Sequence, residues 1–78
     1  MPTTKQVEMI VVHSSNIEQI GYDQQRETLI VQFAAGRTYE YRNVSEETYA
    51  DLTHADSVGH AFSVLIRSHP EKYPYRKV

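Results

Sequence analysis

The sequence predicts an α+β domain: a small antiparallel sheet, a meander of three to five strands, followed by two helices packed beside it. Three observations predict it. The first half of the chain alternates apolar and polar residues with a period of two, as a half-buried strand does. Turn residues interrupt that alternation at short intervals. After Ser45 the period changes to that of a helix, and strands grouped before helices define the α+β class.

"EMIVVHSS" is β-branched and apolar and reads as a first strand of about five residues. "IEQIGYD" is a second, and the polar "QQRE" connects it to a third, with Asp23 opening the hairpin. In "TLIVQFAA", Leu29, Val31 and Phe33 fall on one face and Ile30, Gln32 and Ala34 on the other. Gly36 supplies a turn residue that tolerates positive φ. "RTYEYRNV" alternates again, with Tyr39 and Tyr41 on one side and Thr38, Glu40 and Arg42 on the other.

Ser45 then offers an N-cap, and Glu46 and Glu47 occupy a first turn whose dipole favours negative charge. Tyr49 and Leu52 are spaced to share an inner face. Asp56 or Ser57 caps a second helix, in which Val58, Ala61, Phe62, Leu65 and Ile66 form an apolar stripe. Gly59 in its first turn is read as allowing the two helices to pack closely. His69-Pro70 ends this helix, because the residue before a proline avoids the helical region. "YPYRKV" is extended and can return to the sheet edge.

The chain of 78 residues is long enough for one domain, taken here as residues 1–78. It has no cysteine, so neither a disulfide nor a thiolate metal site is available. No apolar run reaches the roughly 18 residues of a membrane span, and "MPTTKQVEMIVV" does not read as a signal peptide. A cytoplasmic protein without membrane attachment is expected.

The net charge of −2 argues against a binder driven by charge alone. The charge is unevenly spread, however. Arg67, Lys72, Arg76 and Lys77 against Glu71 give residues 67–78 a charge of +3, which leaves −5 on the rest. A local basic face toward an anionic partner is one reading, and a solvated C-terminal tail is the other.

"HSSNIEQIGYD" contains the residue types of a serine nucleophile with a histidine and an aspartate. The pattern around them does not fit. There is no G-x-S-x-G turn. His13 and Ser14 are strand neighbours and point to opposite faces, while His13 and Ser15 stand about 6.6 Å apart at a rise of ~3.3 Å per residue. Ser14 and Ser15 are read as ending the first strand with hydrogen bonds to nearby backbone. His13, His54, His60 and His69 lack metal-ligand spacing. No catalytic residue, metal or cofactor is expected, and the chain is read as a binding module rather than an enzyme.

The tyrosines carry the binding reading. Six tyrosines and no tryptophan is a heavy load for a chain this short. Tyr39 and Tyr41 lie near Arg37 and Arg42, and Tyr73 and Tyr75 near Arg76 and Lys77. Aromatic faces interleaved with cations on a sheet suit single-stranded nucleic acid. They equally suit a buried core or a protein interface. The candidate nucleic-acid contacts are Arg37, Arg42, Arg67, Lys72, Tyr73, Tyr75, Arg76 and Lys77. The reading requires these cations to converge on one face. A protein partner or a homo-oligomer is the alternative, and a small ligand a further one.

The order "HSSNIEQIGYD", "LIVQFAAGRTYEY", "LTHADSVGHAF", "LIRSHPEKYPYRKV" resembles the KTSC domain, from about Val11 to Val78. That small module is named for its place at the C-terminus of some lysyl-tRNA synthetases, and it also stands alone in bacterial and phage proteins. The resemblance places the family's serine pair on Ser14 and Ser15 and its IGYD on Ile20 to Asp23. Its G-x-x-Y-x-Y falls on Gly36, Tyr39 and Tyr41, and its S-x-G on Ser57 and Gly59. Its phenylalanine falls on Phe62, and its closing tyrosine and arginine on Tyr75 and Arg76. The sequence departs at Ser45, where a proline is usual, and at Ala61 and Ser63, where tyrosine and asparagine are. If those last two line a binding surface, this chain binds differently or more weakly. The resemblance brings no catalytic activity and implies RNA contact or docking onto a larger enzyme.

Overall fold

The structure, a computed structural model, describes residues 8–78. Four strands come first: β1 (Met9–Val11), β2 (Ile17–Asp23), β3 (Thr28–Phe33) and β4 (Thr38–Tyr41). Helix α1 (Glu46–Thr53) and helix α2 (Val58–Phe62) follow, and α2 runs on into a π-helical turn at Ser63–Arg67. The chain then returns as β5 (Tyr75–Lys77). The sheet order is β1-β2-β3-β4-β5 with every neighbouring pair antiparallel. The fold class is the expected one, and "YPYRKV" does return to the sheet edge beside β4.

The turns follow from their residues. Asp23 Oδ1 accepts the N–H groups of Gln25 and Arg26, which bends the chain into the β2–β3 hairpin. Gly36 has a φ of 87° in the β3–β4 turn, where its N–H donates to the Phe33 carbonyl. β1 is shorter than the five residues expected. The Ser14 side chain ends it early, because its Oγ accepts the N–H groups of Asn16 and Ile17 and so turns the chain into β2.

Strand register assigns the two sheet faces. Ile20, Val31 and Tyr39 stand opposite one another across β2, β3 and β4. Tyr22, Leu29, Tyr41 and Tyr75 form the next row. These rows face the helices, and Ile20, Leu29, Val31 and Tyr41 are buried there. Gln19, Ile30, Gln32, Glu40 and Arg76 lie on the other face, where Gln19 donates to Gln32 across the strands.

Both helices start where their caps stand. Ser45 Oγ accepts the Thr48 N–H, and Ser57 Oγ accepts the His60 N–H. Leu52 of α1 and Val58, Phe62 and Ile66 of the second helical segment complete the core. Each such fully buried side chain contributes roughly 1.5–3 kcal/mol. Tyr49 of α1 stacks on Tyr22 with centroids 4.9 Å apart, and the Tyr22 hydroxyl donates to the Val44 carbonyl at 2.6 Å.

Gly59 does close-pack, but against a different neighbour from the one expected. A Cβ at this position would lie 2.5 Å from Ser14 Oγ and 2.9 Å from Asn16 Oδ1. The glycine therefore admits the turn between β1 and β2, not helix α1. Helix spacing in the sequence shows where a small residue stands, but only the tertiary fold shows what approaches it.

This contact generates a test by double-mutant cycle. Gly59→Ala should cost about 1–3 kcal/mol through overpacking. Ser14→Ala should cost about 1 kcal/mol through loss of its backbone hydrogen bonds. The double variant should lose less than the sum, because Ser14→Ala removes the atom nearest to the added Cβ. Urea midpoints of the four proteins measure this, and strict additivity would place the clash elsewhere.

A second test uses alkali. Burial raises the phenol pKa of Tyr49 above 10.0, and burial with nearby Glu27, Glu46 and Asp23 raises that of Tyr22. The folded state then holds these protons more tightly than the unfolded state. Stability should be fully present below pH 10 and fall as pH rises through the shifted values. Urea midpoints followed against tyrosinate absorbance check the coincidence.

Candidate functional site: a tyrosine-lined cleft

A cleft of about 620 Å³ opens between the C-terminal half of the sheet and the end of the second helical segment. The β3–β4 hairpin supplies Phe33, Ala34, Ala35 and Arg37, and β4 supplies Tyr39 and Tyr41. Ile66 and Arg67 come from the π-helical turn, Pro70 and Tyr73 from the loop after it, and Tyr75 from β5. Ser15 and Asn16 complete the lining.

The aromatic rings form one connected group. Phe62 lies beneath it, 5.1 Å from Tyr41 and 5.8 Å from Phe33 in edge-to-face contacts. Tyr75 lies 5.5 Å from Tyr41 and 6.0 Å from Tyr39. Tyr41 is only 7 % exposed, whereas Tyr75 is 57 % exposed. The group therefore runs from the core outward, anchored at Phe62 and open at Tyr75.

Arg67 reaches the cleft because of the π-helical turn. The Ser68 N–H donates to the Ser63 carbonyl, five residues back, and Ser68 Oγ donates to the same carbonyl at 2.6 Å. A π turn rotates less per residue than an α turn. Ile66 thus stays in the core while Arg67 comes round toward the sheet. Burial raises the Tyr41 phenol pKa, and the positive charge of Arg67 acts on that phenol in the opposite sense. The proton stays on Tyr41 at neutral pH.

The eight residues singled out from the sequence do not share one surface. Arg37, Arg67, Tyr73 and Tyr75 line the cleft. Tyr73 is buried, so its ring is wall rather than open platform, with Lys72 Nζ 5.4 Å from its centroid. Lys77 pairs with Tyr39 on the cleft face of the sheet but outside the lining. Arg76 lies on the opposite face, bound to Glu40 at 3.0 Å. Arg42 and Lys72 are also exposed outside the cleft. The convergence required of all the cations is therefore met only in part.

The parity of the strands makes this division. Arg37, Tyr39 and Tyr41 alternate onto one face, as do Tyr75 and Lys77, while Arg76 alternates onto the other. The candidate set omitted Tyr39 and Tyr41, although they share the parity of Arg37. Ile66 and Phe33 carried no signal beyond that of core residues. Ala61 and Ser63 do not line the cleft, so the departures at those two positions leave it unaltered.

Ser14 is committed to structure. Its Oγ accepts two backbone N–H groups and donates to Asn16 Oδ1 at 2.9 Å. Among the described residues no group of histidines and carboxylates is arranged to hold a metal ion, and no helix is long and apolar enough to cross a membrane.

Comparisons with known proteins agree with this fold. A crystal structure of a KTSC domain protein from Yersinia pestis superposes with a TM-score of 0.85 at 33 % identity, covering 94 % of this chain and 99 % of that one. An uncharacterized protein of Stutzerimonas stutzeri is 32 % identical over 88 % of this chain and 94 % of its own length. A lysine–tRNA ligase of Nostoc punctiforme is 38 % identical over 68 % of this chain, a region that makes up 9 % of the ligase. The family model described as the KTSC domain matches residues 13–70, and with the fold and these relatives it establishes that the chain belongs to the KTSC domain family.

Proposed function

We propose that this protein is a non-catalytic binding module whose cleft takes a short segment of single-stranded nucleic acid, RNA in particular. One observation carries the reading. The rings of Tyr39, Tyr41 and Tyr75 converge with Arg37 and Arg67 in a single cleft. An exposed ring offers every base a stacking surface, at ~1–3 kcal/mol per base, and guanidinium groups suit phosphate. The kinship with a region of a lysine–tRNA ligase, an enzyme whose name couples it to tRNA, supports RNA as the ligand.

The size of the site limits what it does. A cleft of about 620 Å³ holds one or two nucleotides rather than a long strand. Arg37 and Arg67 with Lys77 nearby can engage two or three phosphates. At about −0.7 per phosphate for single strands, the slope of log affinity against log salt should be about −1.4 to −2.1. A much steeper slope would mean a surface larger than the cleft.

A second reading, a protein-interaction or oligomerisation module, has its own supporting observation. Edge strand β1 exposes Ile10 at 42 % and Val11 at 75 %. An apolar edge left uncovered by the described residues invites pairing with another strand. Sedimentation showing only monomer at high concentration would remove the homodimer form of that reading.

Titration of short single-stranded RNA and DNA in low salt tests the first reading. Arg37→Glu with Arg67→Glu should reduce binding at least tenfold. Arg76→Glu should leave it within about twofold, because Arg76 lies on the other face and its exposed pair with Glu40 contributes only ~0–1 kcal/mol to stability. Equal losses in both variants, or no binding by the unaltered protein, would sink the reading.

A further inference from the structure

The lining of the cleft contains two arginines and no carboxylate, in a chain whose net charge is −2. The ion pair among the described residues is that of Arg76 with Glu40, so Arg37 and Arg67 bring their charge to the cleft without a protein counter-ion. The Tyr22 hydroxyl has an acceptor, the Val44 carbonyl, whereas the Tyr41 hydroxyl has none among the described residues and is open to solvent, since no buried side-chain oxygen there lacks a partner. The remainder of Tyr41 is almost wholly buried, with its ring fixed between Phe62 and Tyr75. A phenol and a guanidinium thus line one cleft, and neither has an acceptor or counter-ion among the described residues. Such a pair of donors suits a group that only accepts.

We propose that Tyr41 Oη and the Arg67 guanidinium form a seat for one phosphate group, and that the base attached to it lies outward on the ring of Tyr75. The inference rests on the cleft being the binding site. It adds the orientation of the ligand: phosphate inward, base outward. The exposure gradient dictates this order. Tyr41 is too buried to offer its face to a base, whereas a base on the half-open face of Tyr75 keeps its polar edges in water. Arg37 then stands as the second cation of the cleft, for the phosphate on the other side of the nucleoside. Tyr41 acts as a hydrogen-bond donor at neutral pH, since burial keeps its proton on.

Side-chain NMR with inorganic phosphate, adenosine and adenosine 5′-monophosphate as probes tests the seat, beside a short RNA for the parent reading. The monophosphate should bind at least tenfold more tightly than adenosine, and inorganic phosphate should shift the Arg67 side-chain resonance. Tyr41→Phe, which keeps the ring, should reduce the preference for monophosphate over adenosine at least threefold, and Arg67→Gln should reduce it further. Tyr75→Ala should weaken both probes equally and leave that preference unchanged. Unchanged preference in Tyr41→Phe and Arg67→Gln would overturn the seat even if RNA binds. Monophosphate binding that depends on Tyr41 without any RNA binding would uphold the seat and overturn the nucleic-acid reading.

Discussion

The approach of helix α2 to the turn at Ser14–Asn16 is the constraint on which the rest depends. Gly59 stands so close to Ser14 Oγ that no side chain fits between them. That contact fixes the start of α2 against one end of the sheet. Ser57 caps the helix two residues earlier, so its rotational phase is set as well. Phe62 then falls onto Phe33 and Tyr41, Ile66 enters the core a turn later, and Arg67 emerges at the cleft. A shift of the helix by one ångström would displace all three.

The second consequence is that the helices cover the sheet incompletely. The second helical segment is short and ends before the far strands are roofed over. The tyrosines fill the difference, because a phenol ring has enough apolar surface to join the core and a polar tip that tolerates water. Tyr41 is core by burial and cleft by its hydroxyl. Tyr75, on an edge strand, is platform more than core. The core and the candidate site are one aromatic group seen from two sides, so a substitution among these rings tests stability and binding together unless it preserves the ring.

Much of this was legible in advance. The alternation of Leu29, Val31 and Phe33 and of Tyr39 and Tyr41 placed them on the correct face. The serines and glycines marked caps and turns that the structure realises at Ser45, Ser57 and Gly36. The candidate site was only half legible. Grouping Arg76 with Tyr75 by nearness in sequence ignored that strand neighbours point apart, and Arg76 faces Glu40 on the far side. Arg67 was named as a cation, but its entry into the cleft depends on a π turn that no residue pattern announces.

The sequence by itself determined the elements, their caps and the face each strand residue takes, because these follow from backbone periodicity and from hydrogen bonds a few residues long. Only the tertiary structure decided which of those faces meet. That Gly59 admits Ser14, that β5 closes beside β4, and that Arg37, Tyr41, Arg67 and Tyr75 share one cleft are pairings between distant parts of the chain. Their cause is the burial of one continuous apolar surface, which rewards the assembled arrangement and leaves no mark on any single segment.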